Sequence, residues 1–282
     1  MEKLPQYIYH KGKKIYLYED QESLQSITIN SLDDLKIFYS VEELYSFRGQ
    51  SVSDWKLSST LERYSGEVCP LELENIVNNT YKEQMKRKSI NLDDIADLQH
   101  YGAPTRFLDW TSSLNIALYF ATSDNIKSDA AIFCLRNIVH SSQTFSIEEI
   151  LRAHGVLISA NTSNKEKLLS KFTHQQEKNY RVLAQKGYFI YPNSAKYTFE
   201  ESLSYTLGNL SINYQISDIL FIDDILLRSS LIKVVIPYRL KTEILNYLNE
   251  KDIKEEIIYP DYQDDFLPTV SPIIKKIKTL VN

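Results

Sequence analysis

The chain contains little that would staple it, anchor it or leave it unfolded. Its 282 residues include only 2 cysteines, 7 glycines and 8 prolines. Cys69 and Cys134 lie far apart in unrelated settings, which excludes a disulfide framework and a zinc knuckle, and both are expected to be packing residues. The scarcity of glycine and proline excludes collagen-like repeats and low-complexity linkers. No stretch approaches the roughly 20 uninterrupted apolar residues that a spanning helix needs. The opening Met-Glu-Lys-Leu-Pro-Gln-Tyr has no charged n-region followed by an apolar h-region, so a cytoplasmic location and no membrane partner are expected. Lys and Arg number 32 against 37 Asp and Glu, a formal charge of −5, so no global field draws the chain to nucleic acid and any such contact would be local. The densest basic stretch, Lys165 to Lys186, is diluted by Glu166 and Glu177 and reads as a solvated helix face. No His/Cys/Asp/Glu grouping has metal-ligand spacing, and neither a Gly-rich phosphate loop nor a Gly-x-Ser-x-Gly elbow occurs. Metallohydrolase, P-loop and α/β-hydrolase chemistries therefore lack support.

What is present is apolar and aromatic: 43% hydrophobic residues, with 20 Tyr and 11 Phe, enough to bury one large core or two modest ones. The pattern is α+β, a mixed sheet core with surrounding helices. Tyr7, Tyr9, Ile15 and Leu17 alternate around Gly12, so residues 1–20 read as a hairpin extension. Ser31 caps a helix running toward Phe38, with Asp33 and Asp34 in its first turn, and a strand then delivers Tyr45 to Arg48. Asn91 caps a second helix with Leu92, Ile95 and Leu98 on one face and Gly102 as its terminating residue, which places Gln99 and His100 on the last turn. Pro104 cannot continue that helix, so Thr105 to Asp109 emerge extended. Thr111, Ser112 or Ser113 can cap the following helix of Leu114, Ala117, Leu118 and Ala121. Ala130 to Leu135, Gly155 to Ser159, Tyr188 to Tyr191 and Leu231 to Ile236 have strand length, the last followed by Pro237 and an amphipathic helix. Residues 271–282 are expected as a helical tail.

Several side chains have the chemistry for a site. Arg48 sits between Phe47 and Gly49, where a bidentate guanidinium suits a phosphate or carboxylate, although an internal ion pair with an acid such as Asp109 fits equally. His100, at a helix end, can act as acid, base or polar anchor, since an unperturbed imidazole titrates near ~6.5; it can equally cap the last helical carbonyls. Asp109 reads as a buried carboxylate that orients Arg48, Arg106 or His100. Trp110 can stack on a ligand ring or pack in the core, and Thr111 can bond a ligand or cap a helix. Asn179, Arg181 and Gln185 precede Gly187 and an aromatic strand, so their polar heads are expected to converge near the sheet. Gln185 does not titrate and so cannot be a general base, but it can orient a substrate or water, or satisfy strand backbone.

Phe47-Arg48-Gly49-Gln50, the run from Gln99 to Ala121 and the run from Asn179 to Phe189 together resemble the FRG domain family, named for its Phe-Arg-Gly tripeptide. The likeness extends through Leu231 to Pro237 and Tyr259-Pro260-Asp261, and implies an FRG-like domain over residues 21–270. It departs where the family commonly has a Pro-Asp-x-x-Gly-like segment, since Pro260-Asp261 is followed here by Tyr262-Gln263-Asp264-Asp265. More distantly, an early strand with Arg48, a second ending in Thr111 before a small-residue helix, and Gln185 before a late strand are similar to the Arg, Ser/Thr and Glu order of ADP-ribosyltransferases that use NAD. That likeness implies a divergent fold of that type, with Arg48, His100, Asp109 and Gln185 as catalytic residues. It assigns NAD binding to Arg48, Gln50, Tyr101, Arg106, Trp110, Thr111 and Arg181, with Tyr101 or Trp110 stacking on the nicotinamide. In those transferases a glutamate stabilises the developing positive charge, a task an amide performs less well. Gln185 occupies the nearest position, so His100 or Asp109 compensates, Gln185 only orients the sugar, or the fold binds without transfer. The implied activity is transfer of ADP-ribose from NAD to a protein or nucleic-acid acceptor, in a toxin or anti-phage effector with an antitoxin or regulatory partner. The alternatives are a non-catalytic module that binds a nucleotide, nucleic acid or protein, and a hydrolase of NAD or a nucleotide using His100 as base and Asp109 as orienter.

Overall fold

The apolar runs of the sequence become the middle of one sheet. The computed structural model describes residues 7–10, 13–19, 25–40, 42–66, 68–137, 165–173, 180–209, 231–260, 271–272, 274–277 and 279. Among the described residues nine strands form the sheet: β1 (Tyr7–His10), β2 (Lys13–Glu19), β3 (Gln25–Thr28), β4 (Tyr45–Gln50), β5 (Leu108–Thr111), β6 (Ala130–Arg136), β7 (Leu169–Phe172), β8 (Gly187–Pro192) and β9 (Leu231–Ile236). Their spatial order is β1-β2-β3-β9-β6-β4-β5-β8-β7. Among the described strands only β3 and β9 pair in parallel, so the sheet is mixed and the α+β expectation holds. The expected N-terminal hairpin is present as β1 and β2, with His10 opposite Lys13. The strand expected at Gly155 to Ser159, and Asn179, lie outside the described residues.

Helices cover the sheet: α1 (Lys36–Ser40), α2 (Thr60–Ser65), α3 (Pro70–Met85), α4 (Leu92–His100), α5 (Leu114–Thr122), α6 (Tyr180–Ala184), α7 (Phe199–Asn209), α8 (Tyr238–Glu250) and α9 (Glu255–Ile258). The expected caps mostly act as such. Asn91 Oδ1 accepts from Asp94 N at 2.8 Å while Asp94 Oδ2 accepts from Asn91 N at 3.0 Å, a reciprocal pair that satisfies two orphan donors. The same helix ends before Gly102, whose φ of +85° is a conformation glycine adopts readily. Ser113 is the residue that precedes α5, but the donor at Leu114 N is met by Glu42 Oε1 at 2.7 Å, from a residue 72 positions earlier. The Lys165 to Lys186 stretch is not one helix face. It is divided among a short 3-10 turn at Lys165–Lys167, β7 and α6, and Lys171 is partly buried, with Nζ 3.7 Å from the centre of the Tyr188 ring. Cys134 is buried as expected, whereas Cys69 is exposed just before α3.

Alternation along the central strands assigns the two faces. In β6, Ala130, Ile132 and Cys134 join a core with α5 and α8, while Ala131, Phe133 and Leu135 join a second core with Trp110, Ile190 and Phe199. A strand covered on both faces reads as a continuous apolar run. In β4, Tyr45 and Phe47 enter the α5 core, so Arg48 projects to the opposite face. Gly49 returns to the α5 side, where a Cβ would lie 2.0 Å from Ala117 O and 2.8 Å from Ala121 N. The glycine of Phe-Arg-Gly is therefore required by the close approach of α5, and not by a ligand. A third cluster joins α2, α3 and α4 through Leu61, Leu73, Tyr81 and Leu98, and takes in Ile274 and Ile277 of the C-terminal helical residues.

Arg106 belongs to this helical layer. Its Nη1 lies 2.9 Å from Glu74 Oε2, and the side chains are 17% and 10% exposed. The guanidinium also sits 5.6 Å from the Tyr191 ring centre. Burial raises the Glu74 carboxyl above the ordinary carboxylate range, with Arg106 opposing that shift.

Two outcomes test this packing. Gly49→Ala is expected to cost at least about 3 kcal/mol in chemical denaturation, the upper end for overpacking, because backbone and not a flexible side chain occupies the space. Arg106→Ala is expected to cost about 3–5 kcal/mol by leaving Glu74 buried without its partner. A carboxyl whose folded pKa is raised binds more protons folded than unfolded, so stability rises as pH falls through that interval. The Arg106→Ala deficit should therefore shrink on acidification, and denaturation measured across a pH series checks this.

Candidate functional site

A cavity of about 940 Å³ runs along β4 and β5, near the upper end of the roughly 300–1,000 Å³ typical of small-molecule sites. Its walls come from the Ser51–Ser58 loop after β4, the last turn of α4, and the segment from α6 to the start of β8, with Tyr259 beyond α9. Because β4 and β5 are antiparallel with Phe47 opposite Thr111, the loop and the α6 segment stand at opposite ends of the paired strands.

Arg48 lies between those ends. Its side chain is 16% exposed, and Nη1 donates to the Asp109 carbonyl at 2.6 Å while standing 3.8 Å from Asp109 Oδ2. Nε is buried and has no hydrogen-bond partner among the described residues. Burial lowers the guanidinium pKa and Arg63 adds to that, with Asp109 opposing; an arginine nevertheless stays charged at accessible pH. Both sequence readings of Arg48 thus have a counterpart: it meets Asp109, chiefly through backbone, and retains donor capacity in the cavity wall.

Asp109 is not buried, its side chain being 69% exposed. It is held by neighbours. Thr105 Oγ1 donates to Gln99 Oε1, and Gln99 Nε2 donates to Asp109 Oδ1 at 2.9 Å. The Thr105 bond fixes which end of the Gln99 amide faces Asp109, so the carboxylate is presented to the cavity as an acceptor. His100 lies one residue along α4 from Gln99 and also lines the cavity, with its ring edge-on to Tyr101 at 5.0 Å.

The remaining expected residues divide. Gln50, Arg181 and Gln185 line the cavity. Arg181 lies over the Tyr259 ring at 4.9 Å. Gln50 Nε2 donates to Lys56 O at 3.3 Å, and its Oε1 is buried without a partner among the described residues. Gln185 Nε2 donates to Ile258 O at 3.2 Å, so the amide satisfies loop backbone. Thr111 Oγ1 donates to Gln185 O at 2.8 Å and accepts from Ser113 N at 3.0 Å, which commits the hydroxyl to joining β5, α5 and the α6 end. Trp110 also lines the cavity, but it is 2% exposed and stacks on Phe199 at 6.4 Å, which is the core-packing reading, while its Nε1 is buried without a partner among the described residues. Tyr101 packs against the α2–α4 cluster and Arg106 pairs with Glu74; neither is among the cavity walls.

The sequence placed Gln99 on the last helical turn with His100 but gave it no role, and gave no signal read as a site at Trp55, Lys56 and Arg63; all four line the cavity. Trp55 could have been found as a lone large aromatic in the polar run Ser51-Val52-Ser53-Asp54. Arg63 carried no signal, because only the fold brings α2 beside β4.

With Arg48, Lys56, Arg63 and Arg181 against Asp54 and Asp109, the cavity has more cationic than acidic side chains, although the chain carries −5. Among the described residues no His/Cys/Asp/Glu group could hold a metal ion. No curated protein and no solved structure matches the chain. Residues 43–130 match the family model of the FRG domain, a segment inside the expected 21–270 that holds β4, the Trp55 loop, α2 to α5 and the start of β6. Over this segment the chain is similar to the FRG domain.

Proposed function

We propose that the cavity binds NAD and that the protein transfers its ADP-ribose to a macromolecular acceptor. The observation that carries this reading is Arg48, a cation in the cavity wall with a buried Nε that has no partner among the described residues and with Arg63 and Arg181 in the same walls. Clustered guanidinium groups suit phosphate oxygens. Asp109, steadied by Gln99, supplies the carboxylate that Gln185 cannot. In the proposed step the bond between the ribose carbon and the nicotinamide nitrogen breaks, and nicotinamide leaves with the bonding pair. Asp109 stabilises the positive charge that develops on the sugar. The acceptor's nucleophile forms the new bond to that carbon, and His100 takes up its proton.

A second reading, a non-catalytic nucleotide-binding module, is favoured by the hydrogen bonds that commit Thr111 and Gln185 to protein backbone. It retains the Arg48 site and loses turnover. The role of a toxin or anti-phage effector with an antitoxin partner belongs to the transferase reading.

Incubation with adenine-labelled NAD and a cell lysate is expected to place label on protein or nucleic acid and to release free nicotinamide. Arg48→Ala should abolish both while the protein remains folded by circular dichroism. Asp109→Asn should lower the rate by about 10²–10³-fold, the range for removing one electrostatic stabiliser, with little change in NAD affinity. Unchanged labelling by Arg48→Ala overturns the site. Nicotinamide release without label identifies a hydrolase, and NAD binding without either product identifies the binding module.

A further inference from the structure

Trp55 is 52% exposed, an unusual state for the largest apolar side chain, and it stands in the cavity wall. Other aromatic rings of that wall are already engaged. Phe47, Trp110, Tyr188 and Phe189 are buried in the cores, and Tyr259 carries the Arg181 guanidinium over its ring.

The loop that presents Trp55 is pinned along its length. Ser53 N donates to Asp129 O at 2.7 Å, Trp55 N to Val52 O at 3.3 Å, Gln50 Nε2 to Lys56 O at 3.3 Å, and Arg63 to Ser58 O. Its first residue is held by a lysine with no exposed surface: Lys241 Nζ, from α8, donates to Ser51 O at 2.8 Å, Asp124 O at 3.0 Å and Asn125 O at 2.9 Å. All three ammonium protons are thereby satisfied. Asn125 Nδ2 also donates to Ser51 Oγ at 2.8 Å. A ring fixed in advance loses little freedom on binding, which favours affinity.

We propose that Trp55 is the stacking platform for the purine base of the nucleotide, with Lys241 as the positioning residue for its loop. This inference rests on the nucleotide reading of the cavity. The neighbouring charges select the base: Lys56, next to Trp55 in the loop, and Arg63 line the same cavity, with Asp54 opposing, so a neutral purine carrying phosphates fits this end better than a cationic nicotinamide ring. Arg48 then meets the phosphates, and the remainder of the nucleotide extends toward Arg181 and Tyr259.

The chain has 2 tryptophans, and Trp110 is buried, so quenching of the exposed component of tryptophan fluorescence reports on Trp55. ADP-ribose and inorganic pyrophosphate are titrated calorimetrically and by fluorescence into the full chain and into Trp55→Ala, Trp55→Phe and Arg48→Ala. ADP-ribose is expected to quench and pyrophosphate not to. Trp55→Ala should weaken ADP-ribose by roughly 5- to 150-fold, the range for loss of one base stack, and leave pyrophosphate affinity unchanged. Trp55→Phe should recover most of the loss. Lys241→Met, if folded, should weaken ADP-ribose and reduce quenching while Trp55 remains present. ADP-ribose binding that requires Arg48 but is indifferent to Trp55→Ala overturns the platform and leaves the nucleotide reading intact. Equal losses for both probes in Trp55→Ala mark Trp55 as part of the wall's structure and overturn it as well. Failure of the folded wild-type protein to bind ADP-ribose overturns the nucleotide reading and this inference together.

Discussion

The close approach of α5 to β4 at Gly49 is the constraint on which the rest of the molecule depends. With Ala117 O 2.0 Å from where a Cβ would stand, the helix backbone rests directly on the strand, and no other residue type preserves that distance. Seating α5 there fixes which face of β4 is core. Phe47 and Gly49 take the helix side, so strand alternation sends Arg48 and Gln50 to the other. The small residues Ala117 and Ala121 of α5 serve the same approach from the helix side. One packing contact therefore decides where the cavity's central cation points.

Around that frame, long-range polar contacts shape the cavity. Glu42 reaches Leu114 N at the start of α5, Lys241 gathers three carbonyls at the far end of β4, and Gln185 ties the α6 end to Ile258. Each buried polar group must find a partner or incur a desolvation cost of a few kcal/mol. Polar side chains thus act as fasteners between segments 72 to 190 residues apart. Arg48, with one nitrogen engaged and another buried without a partner among the described residues, both joins β4 to β5 and lines the cavity.

The local charge differs in sign from the charge of the whole chain. A −5 protein gives no general attraction for anions, yet Arg48, Lys56, Arg63 and Arg181 converge on one cavity. A concave wall concentrates their field on what enters it. Composition averages over the entire surface and so conceals a feature made by four side chains, from β4, the loop after it, α2 and α6.

Much of the fold was legible because it is written in local patterns. The caps at Ser31 and Asn91, the stop at Gly102 and Pro104, the α5 spacing and the runs of β6, β8 and β9 all rest on contacts or periodicities within a few residues, and each recurs in the structure. The sequence also identified Arg48, His100, Asp109, Gln50, Arg181 and Gln185, all of which line the cavity. It left Trp110 open between ligand and core and did not pair Arg106 with Glu74, because a tryptophan beside a candidate carboxylate looks the same whether it faces a ligand or Phe199, and an arginine does not announce its partner. It passed over Trp55 and the Lys241 clamp for the same reason. The sequence by itself determined α4, α5, α8, the strands β4, β6, β8 and β9 and a short roster of reactive side chains, since hydrogen bonding and apolar periodicity act over one or two turns of chain. Only the tertiary structure decided which of those side chains share a cavity and which are consumed as partners of buried backbone, because that depends on contacts between residues far apart in the chain, such as Lys241 and Ser51, 190 positions from each other.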